Sequence, residues 1–274
     1  METKKYKLTE ETIKINVRIL YRIEALKDFK DVKKGDKGGY VEKEENLSQN
    51  GDCWVYDDAR VFGNAVVCYN ARVYGNAKVY GNARVCDSAK VFCDAAAFDN
   101  ARVFGNAKVC QNTVVRDNAE VYDNARVCGN AEICGNTIVC GNARVHGDAW
   151  VCGDVEIYGN ADIGENAQVC DNAVVRDNAA VFGDAIVRGN AKLYGNVEIG
   201  EDARVESIGD YIVFNNWWSS GRYFTWTRSN NMWKVGCFYG TGEQLIEKAY
   251  KDSELSGREY ERVVRYVESI IKDN

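Results

Sequence analysis

The chain contains no proline and only one histidine in 274 residues. The absence of proline suits paired strands, because proline lacks the backbone N–H that a sheet requires. No run of 18 apolar residues occurs, so the sequence predicts no membrane-spanning helix and no membrane association. The first seven residues, Met1 to Lys7, contain no apolar stretch and do not read as a signal peptide, which favours a cytoplasmic location.

Several sequence motifs are also missing. We find no phosphate-binding Gly-x-x-x-x-Gly-Lys loop, no dinucleotide fingerprint and no CxxC pair, so no resident cofactor is predicted. Without an export signal, all 11 cysteines are expected to be reduced thiols. Three of them (Cys134, Cys152 and Cys170) are expected in one line on one face. A tetrahedral zinc site needs four converging ligands, so no metal site is predicted.

The dominant feature is a six-residue repeat that keeps its register from Ala59 to Ala203. It reads Ala-x-Val-y-Gly-Asn, as in the segment Ala71–Asn76, where x and y are the variable positions before and after Val. Ala and Val would point inward, while x and y would point outward, because side chains alternate along a strand. Gly-Asn would form a corner. Eight of the cysteines occupy the y position, where Tyr and Phe stand in other repeats, which indicates a small apolar role.

Three strand-and-corner units would close a triangle, giving 18 residues per coil, with coils stacked about 4.8 Å apart. The segments Ala161–Val169 and Val197–Val205 resemble the hexapeptide repeat of left-handed parallel β-helix proteins. The three-sided, left-handed form is implied by that resemblance. The chain also resembles bacterial and phage-encoded proteins with repeated Gly-Asn-Ala-Arg-Val units, which have an opening like Gly38–Leu47 and are often labelled acyltransferases.

The sequence divides into three segments. Residues 1–46 precede the regular repeat and predict a strand or ribbon around Ile13–Ile23 that caps the helix. Residues 47–206 form the β-helix. Residues 207–274 predict a small α+β domain of three strands and two helices, with Thr241 and Ser256 as helix N-caps. Its aromatic residues form a core or, in another interpretation, contact a partner; the candidate contact residues are Trp217, Trp218, Trp226 and Trp233.

Residues 18 apart should stack on one face, which places a cation at the x position of five successive coils. These residues, called the cationic strip below, are Arg72, Lys90, Lys108, Arg126 and Arg144. One interpretation is a solvated stripe whose aliphatic stems shield apolar neighbours. The other is a binding site for an anionic ligand or for the acidic face of a partner protein. Residues 145–206 are strongly acidic, with 4 Lys/Arg against 12 Asp/Glu, so duplex nucleic acid is a poor partner.

The resemblance also implies an enzymatic alternative. Left-handed β-helix acyltransferases transfer an acyl group from acyl-CoA and usually use a histidine as general base, and here the candidate is His146. The uninterrupted repeats argue against an acyltransferase, because such enzymes commonly insert a loop that shapes the active cleft. We therefore expect a non-catalytic binding or scaffold protein from a mobile element, which inhibits a host protein or sequesters a small nucleotide-like anion. Related left-handed helices are often trimers, so we also expect a homotrimer.

Overall fold

The computed structural model describes residues 4–272, in which each repeat forms a short strand followed by a corner. The inward positions of the repeat are almost completely buried along the whole coil, from Ala59 to Val205. Each strand pairs in parallel with the strand 18 residues away, so Lys90 lies beside Arg72 on one side and Lys108 on the other. The mainly β, three-sided parallel β-helix with 18 residues per coil is therefore confirmed.

The strands of the helix form three faces. Face 1 contains nine strands: Trp54–Val55, Arg72–Val73, Lys90–Val91, Lys108–Val109, Arg126–Val127, Arg144–Val145, Asp162–Ile163, Ala180–Val181 and Glu198–Ile199. Face 2 contains Arg60–Val61, Lys78–Val79, Ala96–Ala97, Val114–Val115, Glu132–Gly135, Trp150–Gly153, Gln168–Asp171, Ile186–Val187 and Arg204–Val205. Face 3 contains Val66–Val67, Arg84–Val85, Arg102–Val103, Glu120–Val121, Ile138–Val139, Glu156–Ile157, Val174–Val175 and Lys192–Leu193.

The two corner residues of each repeat have different structural roles. The first takes a positive φ, as in Gly75 (71°) and Asp177 (63°), a region that glycine occupies without steric cost. The second, usually Asn, forms ladders along the edges of the helix. In one of these, the side-chain amide of Asn142 donates to Asn160 at 3.1 Å and its carbonyl oxygen accepts from Asn124 at 3.3 Å. Asn was expected to serve the bend itself, and the repeat pattern did not predict this ladder.

An antiparallel hairpin covers the first coil. Its strands are Tyr6–Ile15 and Arg18–Ala25, and the second strand pairs with Lys37–Val41, which continues face 2 in parallel. The predicted single ribbon around Ile13–Ile23 is thus split by a turn. The Tyr6 hydroxyl donates to the Leu47 carbonyl at 2.7 Å, and the Lys5 ammonium donates to the Cys53 carbonyl at 2.9 Å. These bonds satisfy backbone oxygens that the open end of the helix leaves without a strand partner.

The C-terminal domain covers the other end. It contains a four-stranded antiparallel sheet and two helices; the strands are Tyr211–Asn215, Tyr223–Thr227, Met232–Val235 and Phe238–Gly240, and the helices are α1 (Gly242–Asp252) and α2 (Glu254–Lys272). The backbone N–H groups of Glu198 and Arg204, in the last coil, donate to the Thr225 and Ser229 hydroxyls. The remaining elements are 3₁₀ turns at Glu44–Asn46 and Ile208–Asp210.

Two details of this domain differ from the sequence prediction. The sequence predicted three strands, but the turn at Gly236 and Cys237 separates a fourth one. Thr241 is the N-cap of α1, as predicted, and accepts a hydrogen bond from the Gln244 N–H. Ser256 lies inside α2 and is not its cap. Ser253 takes that role, because its hydroxyl accepts the Ser256 N–H at 3.1 Å. The two helices are separated by this single residue, which the capping-box spacing did not reveal.

The cysteine prediction was wrong for two residues. Cys134 and Cys152 form a disulfide between adjacent coils of face 2, with their Cα atoms 4.6 Å apart. Stacked coils therefore place cysteines within the Cα separation that disulfides use, roughly 4.4–6.8 Å. The other nine cysteines are free thiols, including Cys170 in the next coil. All 11 cysteines were expected to be reduced because the sequence shows no export signal, and that argument takes no account of which side chains the coils bring together.

Candidate functional site

The cationic strip runs along face 1 in the register that the sequence predicted. Lys108 lies opposite Lys90 on one side and Arg126 on the other, and Arg126 lies opposite Arg144. The next residue of the same line is Asp162, which ends the run of cations. The parallel pairing of the coils thus brings five cations from distant parts of the chain into one line.

A carboxylate pairs with the first residue of the strip, and a second carboxylate follows its last residue. Arg72 forms an ion pair with Asp31 at 2.6 Å, and its guanidinium lies 5.7 Å from the centre of the Tyr56 ring. At the other end, Asp162 contacts His146 at 3.1 Å. The four cations from Lys90 to Arg144 form no ion pair with a carboxylate anywhere in residues 4–272. Face 3 differs, since its Arg102 pairs with Glu120 in the adjacent coil.

The y positions form a second line beside the strip. Tyr74 and Phe92 stack with their ring centres 4.7 Å apart, and Cys110, Cys128 and His146 follow in successive coils. Burial raises the pKa of the Cys110 thiol to about 11, so this thiol is protonated at neutral pH. A hollow of about 190 Å³ opens between Tyr56, Asp57, Arg72, Tyr74 and Lys90 at the start of the strip.

His146 packs against a glycine. Its ring occupies the space above Gly164, where an added Cβ would lie 2.2 Å from the imidazole Cε1. Phe182 lies above Gly200 in the same way, two coils further along the same face. The imidazole Nε2 lies 3.1 Å from the Asp162 Oδ1, and the His146 side chain is 43 % exposed. The residue therefore combines a packing role with a carboxylate contact that could orient a general base.

The four candidate tryptophans do not form one surface. Trp226 and Trp233 are each 2 % exposed and lie in the core of the C-terminal domain. Trp218 is partly buried and packs edge-on against Tyr260. Trp217 is 77 % exposed and is the one tryptophan of the four that could contact a partner. The sequence pattern could not separate core aromatic residues from surface ones, because every strand of this small sheet contains aromatic residues.

Two comparisons with known proteins bear on the helix. The family model described as the YdcK β-solenoid repeat matches residues 55–69, 71–87 and 138–153. A protein of Escherichia coli (strain K12), named uncharacterized acetyltransferase YdcK, is 42 % identical over 67 residues. That match spans 24 % of this chain and 20 % of the relative's length.

Neither α1 nor α2 is long and apolar enough to cross a membrane, and no other helix within residues 4–272 is. The unbroken six-residue register, the match to the YdcK-type repeat and the three-sided coil of 18 residues agree with one another. The fold of this chain is that of a hexapeptide-repeat parallel β-helix, and its repeat is similar to the YdcK β-solenoid repeat.

Proposed function

We propose that the protein is a non-catalytic scaffold that binds a polyanionic ligand along the cationic strip. The observation that supports this proposal is the run of four cations from Lys90 to Arg144 without a carboxylate partner in the described part of the chain. Neighbouring unit charges about 4.8 Å apart repel each other by about 0.9 kcal/mol in water. A bound anion would remove this repulsion, whereas bare solvent and salt only screen it.

The neighbouring line of aromatic residues restricts the kind of ligand. Tyr74 and Phe92 stack on each other with an angle of 8° between their planes, so the ring surfaces between them are covered. A nucleobase therefore finds little free ring surface beside the strip. This favours recognition through phosphate or carboxylate groups, carried by a small polyphosphate or by the acidic surface of a partner protein. A host protein as that partner remains part of the proposal.

Calorimetric titration with tripolyphosphate and with polyglutamate at low salt tests the proposal. The variant Lys108→Glu with Arg126→Glu should lose binding of at least one probe while its melting temperature stays close to that of the parent. The matched control is Lys78→Glu with Lys192→Glu, which makes the same change in net charge at exposed positions of faces 2 and 3. Equal loss in both variants would indicate nonspecific attraction, and unchanged affinity in the first would remove the strip as the site.

A second candidate function is acyl transfer. Two observations favour it: the contact of His146 with Asp162, and the acetyltransferase name of the Escherichia coli relative. If the Asp162 carboxylate accepts the Nε2–H, the imidazole Nδ1 is left unprotonated and could take a proton from an acceptor hydroxyl or amine. The acyl group would move from the acyl-CoA thioester to that acceptor, releasing the free CoA thiol.

Release of thiol from acetyl-CoA, measured with a panel of sugar and amine acceptors, tests this alternative. His146→Ala should abolish an acceptor-dependent signal. Phe182→Ala is the matched control, because it removes the other aromatic ring that packs above a glycine on face 1. A signal that survives in His146→Ala, or that falls equally in both variants, would argue against catalysis by His146.

The assembly and the partner contact are further parts of the proposal. A homotrimer, which the family resemblance implies, should have three times the chain mass of 30.7 kDa in size-exclusion light scattering.

Trp217 is the proposed partner contact of the C-terminal domain, because it is the most exposed of the six tryptophans. Trp217→Ala should weaken capture of a partner without lowering the melting temperature, whereas Trp233→Ala should destabilise the domain.

A further inference from the structure

Face 3 places two cysteines side by side in adjacent coils near the N-terminal end. Cys68 and Cys86 occupy the y positions after Val67 and Val85, which pair in register. Their Sγ atoms lie 2.6 Å apart in hydrogen-bonding contact, and both side chains are partly exposed. The two thiols are thus close enough to share a proton and open enough to meet a reagent from solution.

Two neighbouring hollows border this pair. One of about 290 Å³ is lined by Cys86 together with Arg84 and Arg102, and the other of about 620 Å³ is lined by Cys68 and Arg84. Arg102 is paired with Glu120, whereas Arg84 forms no ion pair within residues 4–272. Asp87, whose carboxylate also lines the first hollow, accepts the backbone N–H of Gly105. The glutamates Glu44 and Glu45 also line the second hollow.

The environment divides the two thiols into an acidic and a weakly acidic one. The hydrogen bond between the two Sγ atoms and the Arg84 guanidinium beside Cys86 together outweigh burial and lower the pKa of Cys86 to about 7. The same hydrogen bond and burial raise the pKa of Cys68 well above its usual range. A thiolate next to a thiol, with an arginine beside both, is the arrangement of an attacking cysteine and its resolving partner.

We propose that Cys68 and Cys86 form a redox-active dithiol that reacts with low-molecular-weight disulfides carrying carboxylate groups. The Cys86 thiolate attacks one sulfur of the reagent, forming a mixed disulfide and releasing the first thiolate. Cys68 then loses its proton and attacks the Cys86 Sγ, which releases the second thiol. Overall, the dithiol is oxidised to one protein disulfide, and one reagent disulfide is reduced to two thiols.

The fold can accommodate the product. Cys134 and Cys152 occupy equivalent y positions in adjacent coils of face 2, and they are joined by a disulfide with a Cα separation of 4.6 Å. Cys68 and Cys86 have the same register and the same spacing of 18 residues. The oxidised pair would link the first two strands of face 3 without moving the backbone out of register.

Cys110 and Cys128 on face 1 provide an internal control. They too occupy y positions in adjacent coils, but burial raises the pKa of both thiols, in the case of Cys110 to about 11. At neutral pH their thiolate fraction is very small, and thiol–disulfide exchange proceeds through the thiolate. We therefore expect Cys86 to react about tenfold or more faster than Cys110.

The test is incubation of the full chain with glutathione disulfide at pH 7, followed by peptide mapping without reduction. The Cys68–Cys86 disulfide should form first. Cys68→Ser should accumulate a stable glutathione adduct on Cys86, whereas Cys86→Ser should show no early adduct on Cys68. Arg84→Gln should slow the reaction with both reagents, because the pKa of Cys86 rises, but the loss should be severalfold larger with glutathione disulfide than with cystamine, which carries amines in place of carboxylates. The double variant Cys110→Ser with Cys128→Ser should react like the parent.

Three outcomes would overturn the proposal. The first is equal reactivity of Cys86 and Cys110 in the parent protein. The second is a stable adduct on the parent's Cys86 that never resolves to the internal disulfide. The third is preferential reaction at Cys93 or Cys237, the two exposed free cysteines, with the dithiol left reduced. The serine variants are conservative at a position that tolerates Tyr, Phe, Cys and Arg in other coils, and their melting temperatures would verify folding.

Discussion

The carboxylate of Asp177 accepts a hydrogen bond at 3.0 Å from the backbone N–H of Gly195, one coil further along the same corner. Seven other corners show the same contact, in which an acidic or amide side chain at the first corner position reaches the glycine N–H 18 residues later; the donors are Gly75, Gly105, Gly129, Gly135, Gly141, Gly183 and Gly189. The alternation of Asp and Gly at this position therefore links successive coils.

Asp177→Ala should lower the free energy of unfolding by about 0.5–1.5 kcal/mol, because it leaves the Gly195 N–H without its protein acceptor. Asp177→Asn should lose less, since the amide oxygen can still accept that hydrogen bond. Urea denaturation followed by circular dichroism provides the measurement. Equal stability of the alanine variant and the parent would show that water replaces this contact without cost.

Substitutions at two corner glycines can measure the cost of backbone strain separately from the cost of a steric clash. Gly195 has a φ of +71° with open space where an added Cβ would lie, so Gly195→Ala should cost about 1–2 kcal/mol for the left-handed backbone alone. Gly147 has a φ of +69°, and an added Cβ would lie 2.6 Å from the Glu165 backbone nitrogen. Gly147→Ala should therefore lower the denaturation midpoint clearly more than Gly195→Ala. Similar losses in the two variants would mean that neighbouring coils shift apart easily.

Because of Glu198, we expect the stability of the C-terminal end of the helix to depend on pH. Burial raises the pKa of this carboxyl, and the Lys234 ammonium offsets the shift only in part. The folded state therefore holds the proton to higher pH than the unfolded chain does, and this group's contribution to stability falls as pH rises through that window.

Glu198→Gln should accordingly raise the melting temperature at pH 7, and the difference should disappear below about pH 4, where the carboxyl is protonated in both states. Glu156→Gln, at an exposed x position of face 3, is the control and should change little. A lower melting temperature of Glu198→Gln at neutral pH would show that the attraction to Lys234 outweighs burial.

The cap of α2 can be tested with neighbouring serines. Ser253→Ala should destabilise the C-terminal domain by about 1 kcal/mol, because the Ser253 hydroxyl accepts the Ser256 N–H. Ser256→Ala lies within the first turns of the helix and should change stability by only a few tenths of a kcal/mol. Thermal unfolding monitored by tryptophan fluorescence reports mainly on this domain, since it contains most of the tryptophans of the chain. A reversed order of the two effects would place the cap at Ser256.

Much of the fold was predictable because the repeat is unbroken. The inward Ala and Val positions and the line from Arg72 to Arg144 follow from the period of six and the 18-residue coil. The C-terminal domain was harder, because its aromatic residues occur on both sides of short strands. Burial of Trp226 and exposure of Trp217 depend on how α1 and α2 pack on the sheet, and strand periodicity does not contain that information.

The candidate sites were predictable only in part. The order of residues identified the cations and His146, but the lack of ion partners along the strip and the packing of His146 above Gly164 required the positions of side chains. The Cys68–Cys86 pair was visible as a spacing of 18 residues. The pairs Cys68–Cys86 and Cys110–Cys128 both have a cation at a neighbouring x position, and the lowered pKa that distinguishes Cys86 became apparent only in the folded chain.

The sequence predicted a coil, because a strict period of six leaves one inward face for Ala and Val and one corner for each repeat, and its resemblance to hexapeptide-repeat proteins implied three sides. It also determined which residues stand above one another. The tertiary structure decided which of these neighbours interact: Arg72 with Asp31, His146 with Asp162, and Cys134 with Cys152. The reason is that such contacts depend on side-chain direction and on segments outside the repeat, neither of which a repeat pattern specifies.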